Sequence, residues 1–470
     1  MDTSPKKVSA NFLSISGSQA LGLLFNLVSF GLIARYLTVE NFGNFSLLLA
    51  IVGILSKLID LGISPIVFRE SSDSDKKYNF LNTAIGIRLV AFIIIQVLAN
   101  TYLIIQNLSS QQIILFNILM LSIIFSAKMA NFRDLFAIPF KVKLAMSTPS
   151  ILSVLDSLVF LLAVIIMPLV KGGLLYLTIA YVFSNLPGFI ILLIYLVKKY
   201  NVKFHPTLKN AKWLMKESAP LAGFVLFMSL FQQMDILLLK EISNSYATGI
   251  YSSAIRLVLP LNLIPNAMVT TVFPILIRKE IKREILIKSV YKALFFLSVA
   301  IAVIFAFKAE ELISLVFGGK YIVAGRTTII LFISQIFMFL NFFSLSVFTA
   351  DKKQKRNFFY AVLLVFVNVI VDLTLIPLLS YEGAAIAKLV AAITGFIYTF
   401  ILIRKSKNTL NFLKSKQISW SILLILSMYI LSNFHLVVYL TGSLIALSII
   451  TIITKFFSQK EIDYFVQIIK

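Results

Sequence analysis

Stretches of about twenty apolar residues recur along the whole of this sequence, each long enough to cross a bilayer core as one α-helix. They fall at roughly 12–34, 44–66, 80–105, 112–132, 146–169, 173–197, 218–239, 248–274, 290–307, 327–349, 357–379, 383–403, 418–434 and 436–457. The pattern predicts an all-α integral membrane protein of about fourteen spans. Only Asn433 to His435 separate the last two, which makes them the least distinct pair. Composition agrees, because 59% of the residues are hydrophobic and 13% are charged, with a mean hydropathy of +0.95. A soluble domain carries about a quarter charged residues and could not hide this much apolar surface.

The formal net charge is +23. In a soluble chain that would suggest nucleic acid, but here the basic residues sit between apolar runs. The excess therefore reads as Lys and Arg held in cytoplasmic loops, and no nucleic-acid partner is expected. Counting from a cytoplasmic N-terminus, the even loops hold Arg69, Lys76 and Lys77; Lys141 and Lys143; and Lys198, Lys199, Lys203, Lys209, Lys212 and Lys216. Further on they hold Arg278, Lys279, Lys282 and Arg283; Lys352, Lys353, Lys355 and Arg356; and Arg404, Lys405, Lys407, Lys414 and Lys416. The odd loops hold Lys171, Lys240, Lys308, Lys320 and little else. Both termini should then be cytoplasmic. Lys6 and Lys7 precede an apolar stretch too long for a cleaved signal, so that stretch is expected to be a retained first helix.

No outward loop is long, which argues against an outward catalytic domain and against an enzyme. There are no cysteines, and His205 and His435 have no partner at metal-ligand spacing, so no metal site and no cofactor is expected. Leu208–Lys216 and Ile275–Lys292 alternate apolar and basic residues as helices in the headgroup layer do. An internal repeat is also visible. Asn26, Ser29, Arg35 and Gly43-Asn44-Phe45 in spans one and two correspond in order to Gln232, Asp235, Lys240-Glu241 and Gly249-Ile250-Tyr251 in spans seven and eight. The expected organisation is a bundle of six helices over 1–200, a linker with an amphipathic helix over 201–217, a second bundle of six over 218–406, and two added helices with a tail over 407–470.

A charge at the centre of a span costs about 2.5–3.5 kcal/mol on insertion scales. This chain keeps Lys57 and Asp60 in span two, Arg88 in span three, Asp156 in span five, Asp235 in span seven, Arg256 in span eight, Asp372 in span eleven and Lys388 in span twelve. Helix direction and a rise of about 1.5 Å per residue place Lys57, Asp60 and Arg88 at one level in the inner half. Asp235 and Arg256 share a level in the outer half, as do Asp372 and Lys388. Either these are ion pairs that orient helices, or the cations line a cavity for an anion. Arg256, Lys57 and Arg88 are favoured as cavity cations. In span one, Asn11, Ser14, Ser18, Gly22, Asn26 and Ser29 share a helix face. That face is either a tight seam or part of a cavity lining. In span seven, Ser229, Gln232 and Asp235, with Gln233 beside them, form a similar stripe in which the acid could bind a coupling proton or sodium ion.

The stretch from Leu32 through Arg35 and Glu40 to Gly43, with Asp60-Leu-Gly-Ile-Ser-Pro65 and Arg69-Glu70, resembles the opening of the polysaccharide biosynthesis transporters, the Wzx-type flippases. Asp235-Ile-Leu-Leu-Leu, Gly249-Ile-Tyr-Ser-Ser-Ala-Ile-Arg256 and Phe273-Pro274 resemble the same family, as do Val316–Tyr321, Ala350–Gln354, Asn368 and Glu382–Ala385. The resemblance covers about 10–405. It implies the fold of the multidrug/oligosaccharidyl-lipid/polysaccharide (MOP) exporters, a MATE-like pair of bundles forming a V-shaped cavity. It also implies a bacterial inner-membrane protein that moves undecaprenyl-diphosphate-linked oligosaccharide for O-antigen or capsule. Association with a polymerase and chain-length machinery would follow from such a role.

The residues suit that substrate. Arg offers paired contacts to phosphate and Lys a point charge, so Arg256, Lys57, Arg88 and Lys388 are candidates for the diphosphate. Asn26, Gln232 and Gln233 are candidates for sugar hydroxyls. Asp60, Asp235, Asp156 and Asp372 are candidates for ion coupling or charge pairing. A multidrug antiporter of the same superfamily should present an acidic cavity, whereas a peptidoglycan-precursor flippase would look much the same.

Overall fold

The computed structural model describes residues 5–72, 79–106, 109–129, 131–143, 145–198, 207–278, 283–405 and 415–457. Among them every element is helical. The loop lysines Lys76, Lys77, Lys199, Lys203, Lys279, Lys282, Lys407 and Lys414, and His205, lie outside the described residues, and the side chains of Asn11 and Ser14 are likewise not described. Contacts divide the chain into two compact units, Met1–Gly249 and Ile250–Lys470.

Unit one begins with α1 (Pro5–Tyr36), α2 (Val39–Asp60), α3 (Ile63–Ser71) and α4 (Asn79–Ile105). It continues through α5 (Ser110–Met120), α6 (Ser122–Phe125), α7 (Phe132–Phe136), α8 (Ile138–Val142) and α9 (Ser147–Ile166). Then follow α10 (Leu174–Phe183), α11 (Leu186–Lys198), α12 (Leu208–Ile242) and the start of α13 (Ser245–Val258). Unit two holds the rest of α13, a 3-10 turn at Leu259–Asn262, and α14 (Leu263–Arg278), α15 (Arg283–Ala306) and α16 (Ala309–Phe317). It ends with α17 (Gly325–Ala350), α18 (Gln354–Lys405), α19 (Ser415–Leu431) and α20 (Leu436–Ile453).

Each predicted apolar run falls largely on helix, with breaks inside 44–66, 112–132 and 173–197. Among the described residues, eleven helices are long and apolar enough to cross a membrane, and Ser110–Phe125 and Ser415–Leu431 are shorter apolar stretches. The 51 residues of Gln354–Arg404 cover two helices, joined where Ser380 leaves helical geometry at φ 50°. Large apolar side chains stand exposed along α4, α19 and α20, among them Val90, Ile93, Val97, Ile422, Ile430 and Ile445. Such faces suit a hydrocarbon solvent and no other, so the chain is a multi-pass membrane protein.

Several spans of unit one are interrupted. Leu61 and Gly62 take left-handed backbone between α2 and α3, at φ 52° and 65°. Gly62 also has no room for a side chain, since a Cβ would lie 2.7 Å from the Ala222 amide of α12. Between α6 and α7 the chain is non-helical at 126–129 and at Asn131, which has φ −119°, ψ −108°. Ser184 and Asn185 separate α10 from α11, where Pro187 occupies an early helical position that needs no N–H donor.

The core of unit one includes Phe30, Phe45, Phe160 and Tyr181, with Phe160 and Tyr181 edge to face at 5.3 Å. The stretch Leu208–Lys216, expected as a separate surface helix, is the start of the 35-residue α12. Its Trp213 ring lies 5.0 Å from Phe80. One turn on, Glu217 pairs with Arg69 of α3 at 3.1 Å. That carboxylate raises the Arg69 guanidinium above its ordinary value, so it stays charged at any workable pH. The other amphipathic stretch, Ile275–Lys292, is interrupted by 279–282, which are not described.

Unit two packs α14, α15 and α17 around Tyr291, Phe343 and Val347. Tyr291 and Ser344 share a hydrogen bond of 2.5 Å. A second cluster seats α19 and α20 on α15 through Trp420, Met428 and Tyr439. There Tyr439 donates to the Ile304 carbonyl at 2.6 Å, so the last hairpin is fixed by direction as well as by area.

Candidate functional site

In a membrane interior, an interrupted helix needs partners for the carbonyls it frees. Unit one supplies them from its buried cations. Arg88 of α4 has no exposed surface, and its guanidinium pairs with Asp60 at the end of α2. It also donates to Ser64 Oγ at 2.9 Å and to the Asn131 carbonyl at 2.5 Å. Asn131 in turn donates from Nδ2 to the Ser56 carbonyl at 2.6 Å. Lys57, half-buried, donates to the Met129 carbonyl at 3.2 Å, which Ser56 Oγ also reaches at 3.1 Å. The three residues expected at one depth are therefore brought together. Arg88, expected to line a cavity, is instead enclosed against Asp60 and the break, because its carboxylate and the freed Asn131 carbonyl need it there.

A second buried pair lies across the same break. Asp156 of α9 pairs with Arg133 of α7 and accepts from the Gly188 N–H of α11 at 3.2 Å. Arg133 also reaches the carbonyls of Phe125 and Asn185, each at 3.4 Å. Lys128, within the break, stands 4.8 Å from the centroid of Phe160 and 5.4 Å from that of Tyr181, a cation–π arrangement. Neither Arg133 nor Lys128 was among the residues singled out in the sequence. The available signal was Asp156 itself, an intramembrane acid with no assigned partner.

The polar face of span one is a seam in part. α1 packs along α9, and a Cβ on Gly22 would stand 3.8 Å from Ser157 Oγ. Ser29 is buried and bonds back to the Phe25 carbonyl at 2.7 Å. Asn26 donates to the Gly22 carbonyl at 2.6 Å, while its buried Oδ1 accepts no hydrogen bond among the described residues. On α12, Asp235 is fully buried, Gln232 is exposed, and Gln233 is half-buried, with its amide 3.6 Å from the place of a Cβ on Gly53.

In unit two, Asn368 donates to Asp372 at 2.9 Å and accepts from Lys388 at 3.4 Å, linking the two arms of α18 across the Ser380 kink. Asp372 is fully buried and Lys388 nearly so. Arg256 is half-buried in the last turn of α13. Among the described residues no cluster of His, Cys, Asp and Glu could hold a metal ion.

The sequence matches the family described as polysaccharide biosynthesis protein over residues 8–280. The capsular polysaccharide biosynthesis protein CapF of Staphylococcus aureus is 26% identical over 210 residues, covering 43% of this chain and 53% of that relative. The chain thus spans about half the length of CapF in that match. Among solved structures, the lipid II flippase MurJ in an inward closed conformation gives a TM-score of 0.77 at 15% identity, over 95% of this chain and 99% of the other. An inward-facing multidrug resistance MATE transporter of the MOP superfamily gives 0.63 at 17% identity, over 85% and 99%. At these identities the likeness is one of fold, and the fold is that of the MOP superfamily.

Proposed function

Because this chain belongs to the polysaccharide biosynthesis protein family, we propose that it is a flippase. It carries undecaprenyl-diphosphate-linked oligosaccharide units from the cytoplasmic to the outer face of the inner membrane. The lipid tail stays in the bilayer while the charged head group crosses through protein. Transport proceeds by alternating access, with bundles over 1–200 and 218–406 as the moving halves and both termini cytoplasmic.

Lys57 is the observation that carries this reading. Its ammonium stands in the last turn of α2, half-buried, on a carbonyl, while the nearest carboxylate in sequence, Asp60, pairs with Arg88. A diphosphate needs a cation that is not locked in a direct ion pair, and Lys57, whose described contact is a carbonyl, fits that need. Arg256 and Lys388 are proposed as further phosphate contacts, and Asn26, Gln232 and Gln233 as partners of sugar hydroxyls. Asp235 and Asp372 are proposed to couple transport to protons or sodium. Arg88 with Asp60, and Asp156 with Arg133, serve as charge pairs.

The test is deletion of the gene, followed by locating the lipid-linked saccharide that accumulates. Units trapped on the cytoplasmic face support flipping. Exported but unpolymerised units point to a polymerase, accumulated peptidoglycan precursor to a lipid II flippase, and lost efflux of organic cations to a multidrug antiporter.

A further inference from the structure

The break between α6 and α7 is held at both ends by guanidinium groups. Arg133 reaches back to the Phe125 carbonyl at one end, and Arg88 donates to the Asn131 carbonyl at the other. Each guanidinium is balanced by its own carboxylate, Asp156 and Asp60. Between these anchors, among the described residues, the Met129 carbonyl faces α2. Met129 O accepts from Ser56 Oγ and from Lys57 Nζ. Lys57 is thus docked on a piece of backbone whose position is set from α7 and α9 at one end and from α4 and α2 at the other.

We propose that Arg133 and Asp156 are positioning residues for the anionic head group, acting through the Met129 carbonyl to hold the Lys57 ammonium where it meets phosphate. The inference rests on the flippase reading and adds to it two residues that do not touch the ligand. Its chemistry is asymmetric. Arg133 meets a carboxylate and two carbonyls through one atom, Nη1, whose position the planar guanidinium fixes at the far end of the side chain. A lysine ammonium ends one bond nearer the backbone and has no plane to fix its direction, so Arg133→Lys keeps the charge and loosens the anchoring. A role limited to stability would lower the folded yield and leave the ligand's affinity alone.

The experiment is a double-mutant cycle on the full chain in lipid nanodiscs, with undecaprenyl diphosphate as probe and undecaprenol as neutral control. Arg133→Lys should remain folded and bind the diphosphate about tenfold more weakly, and Lys57→Gln should lose at least as much. The double variant should bind no more weakly than Lys57→Gln alone, because Arg133 acts through Lys57. Losses that add in full would overturn the proposal. If Arg133→Lys does not fold, Asp156→Asn takes its place, since the amide can still accept from Gly188. A wild type that does not bind the diphosphate would sink the flippase reading and leave the positioning to a second readout. Labelling of Lys57 by an amine-reactive reagent, followed by mass spectrometry, should speed up several-fold in the Arg133 or Asp156 variant. An unchanged rate would overturn the positioning role.

Discussion

Gly43 and Gly249 meet backbone to backbone. A Cβ on Gly43 would run into the Ser245 carbonyl oxygen and lie 2.8 Å from the Gly249 amide, and one on Gly249 would run into the Val39 carbonyl oxygen. Beside them, Lys240 Nζ donates to Ser245 Oγ at 2.6 Å, and Ser245 Oγ donates to Asn44 Oδ1 at 2.7 Å. These are the two glycines that open corresponding helices of the sequence repeat. Backbone cannot rotate away as a side chain can, so Gly43→Ala and Gly249→Ala should each destabilise the protein by about 1–3 kcal/mol, the range for overpacking. Thermal unfolding in detergent measures this, and an unchanged midpoint would mean that the two helix starts can part at no cost.

Arg88 and Asp60 should behave as one unit. Removing one partner of a buried pair costs about 3–5 kcal/mol, because the other charge is stranded. Arg88→Met is therefore expected to reduce folded protein sharply. Arg88→Met with Asp60→Leu should recover part of the loss. Recovery stays incomplete, since Ser64 and the Asn131 carbonyl lose their donor in either variant. Folded yield by size exclusion orders the variants, and a double variant worse than the single would contradict the pairing.

The Arg69–Glu217 pair should matter far less to stability. Its side chains are 54% and 42% exposed, and exposed pairs contribute about 0–1 kcal/mol. Glu217→Gln should shift the melting midpoint little at low salt and not at all at high salt. A large loss would mean that the contact between α3 and α12 is shielded from solvent in the membrane.

Hydropathy was enough to place the helices, because each span must satisfy its own backbone within lipid. The interruptions were not legible. The run 112–132 reads as one span, since Ser126 to Asn131 contains no proline or glycine to announce the break. That concealed Arg133. Depth reckoned from an unbroken helix ending at 132 puts Arg133 at the inner surface, well away from Asp156. In the structure the chain continues as α7 and α8 and returns Arg133 to the Asp156 carboxylate. The grouping of Lys57, Asp60 and Arg88 was legible from depth alone. Their division into an enclosed pair and a half-buried lysine required side-chain geometry.

Topology can be tested directly because the sequence has no cysteine. Lys355→Cys, in a loop expected to be cytoplasmic, should resist a membrane-impermeant maleimide in intact cells and react after permeabilisation. Lys320→Cys, in a loop expected to face outward, should react in both. Labelling of Lys355→Cys from outside would invert the orientation drawn from the lysine and arginine bias.

Arg256 is proposed to meet the ligand and Asn368 holds part of the fold, so the two should respond differently to substitution. Asn368 sits between a buried acid and a buried lysine and bonds to both, so Asn368→Leu leaves two polar partners short of a hydrogen bond. The desolvation penalty for such groups is about 1–3 kcal/mol each, more where they are charged, and the variant should be hard to recover folded. Arg256 is half-buried in the last turn of α13, and size exclusion measures first how much folded Arg256→Ala is recovered. If Arg256 contacts the diphosphate, that folded variant should no longer export lipid-linked saccharide, and Arg256→Lys should retain part of the activity by keeping the charge without the paired donors. Normal export by Arg256→Ala would remove Arg256 from the ligand's path and leave Lys57 as the first cation to be examined there.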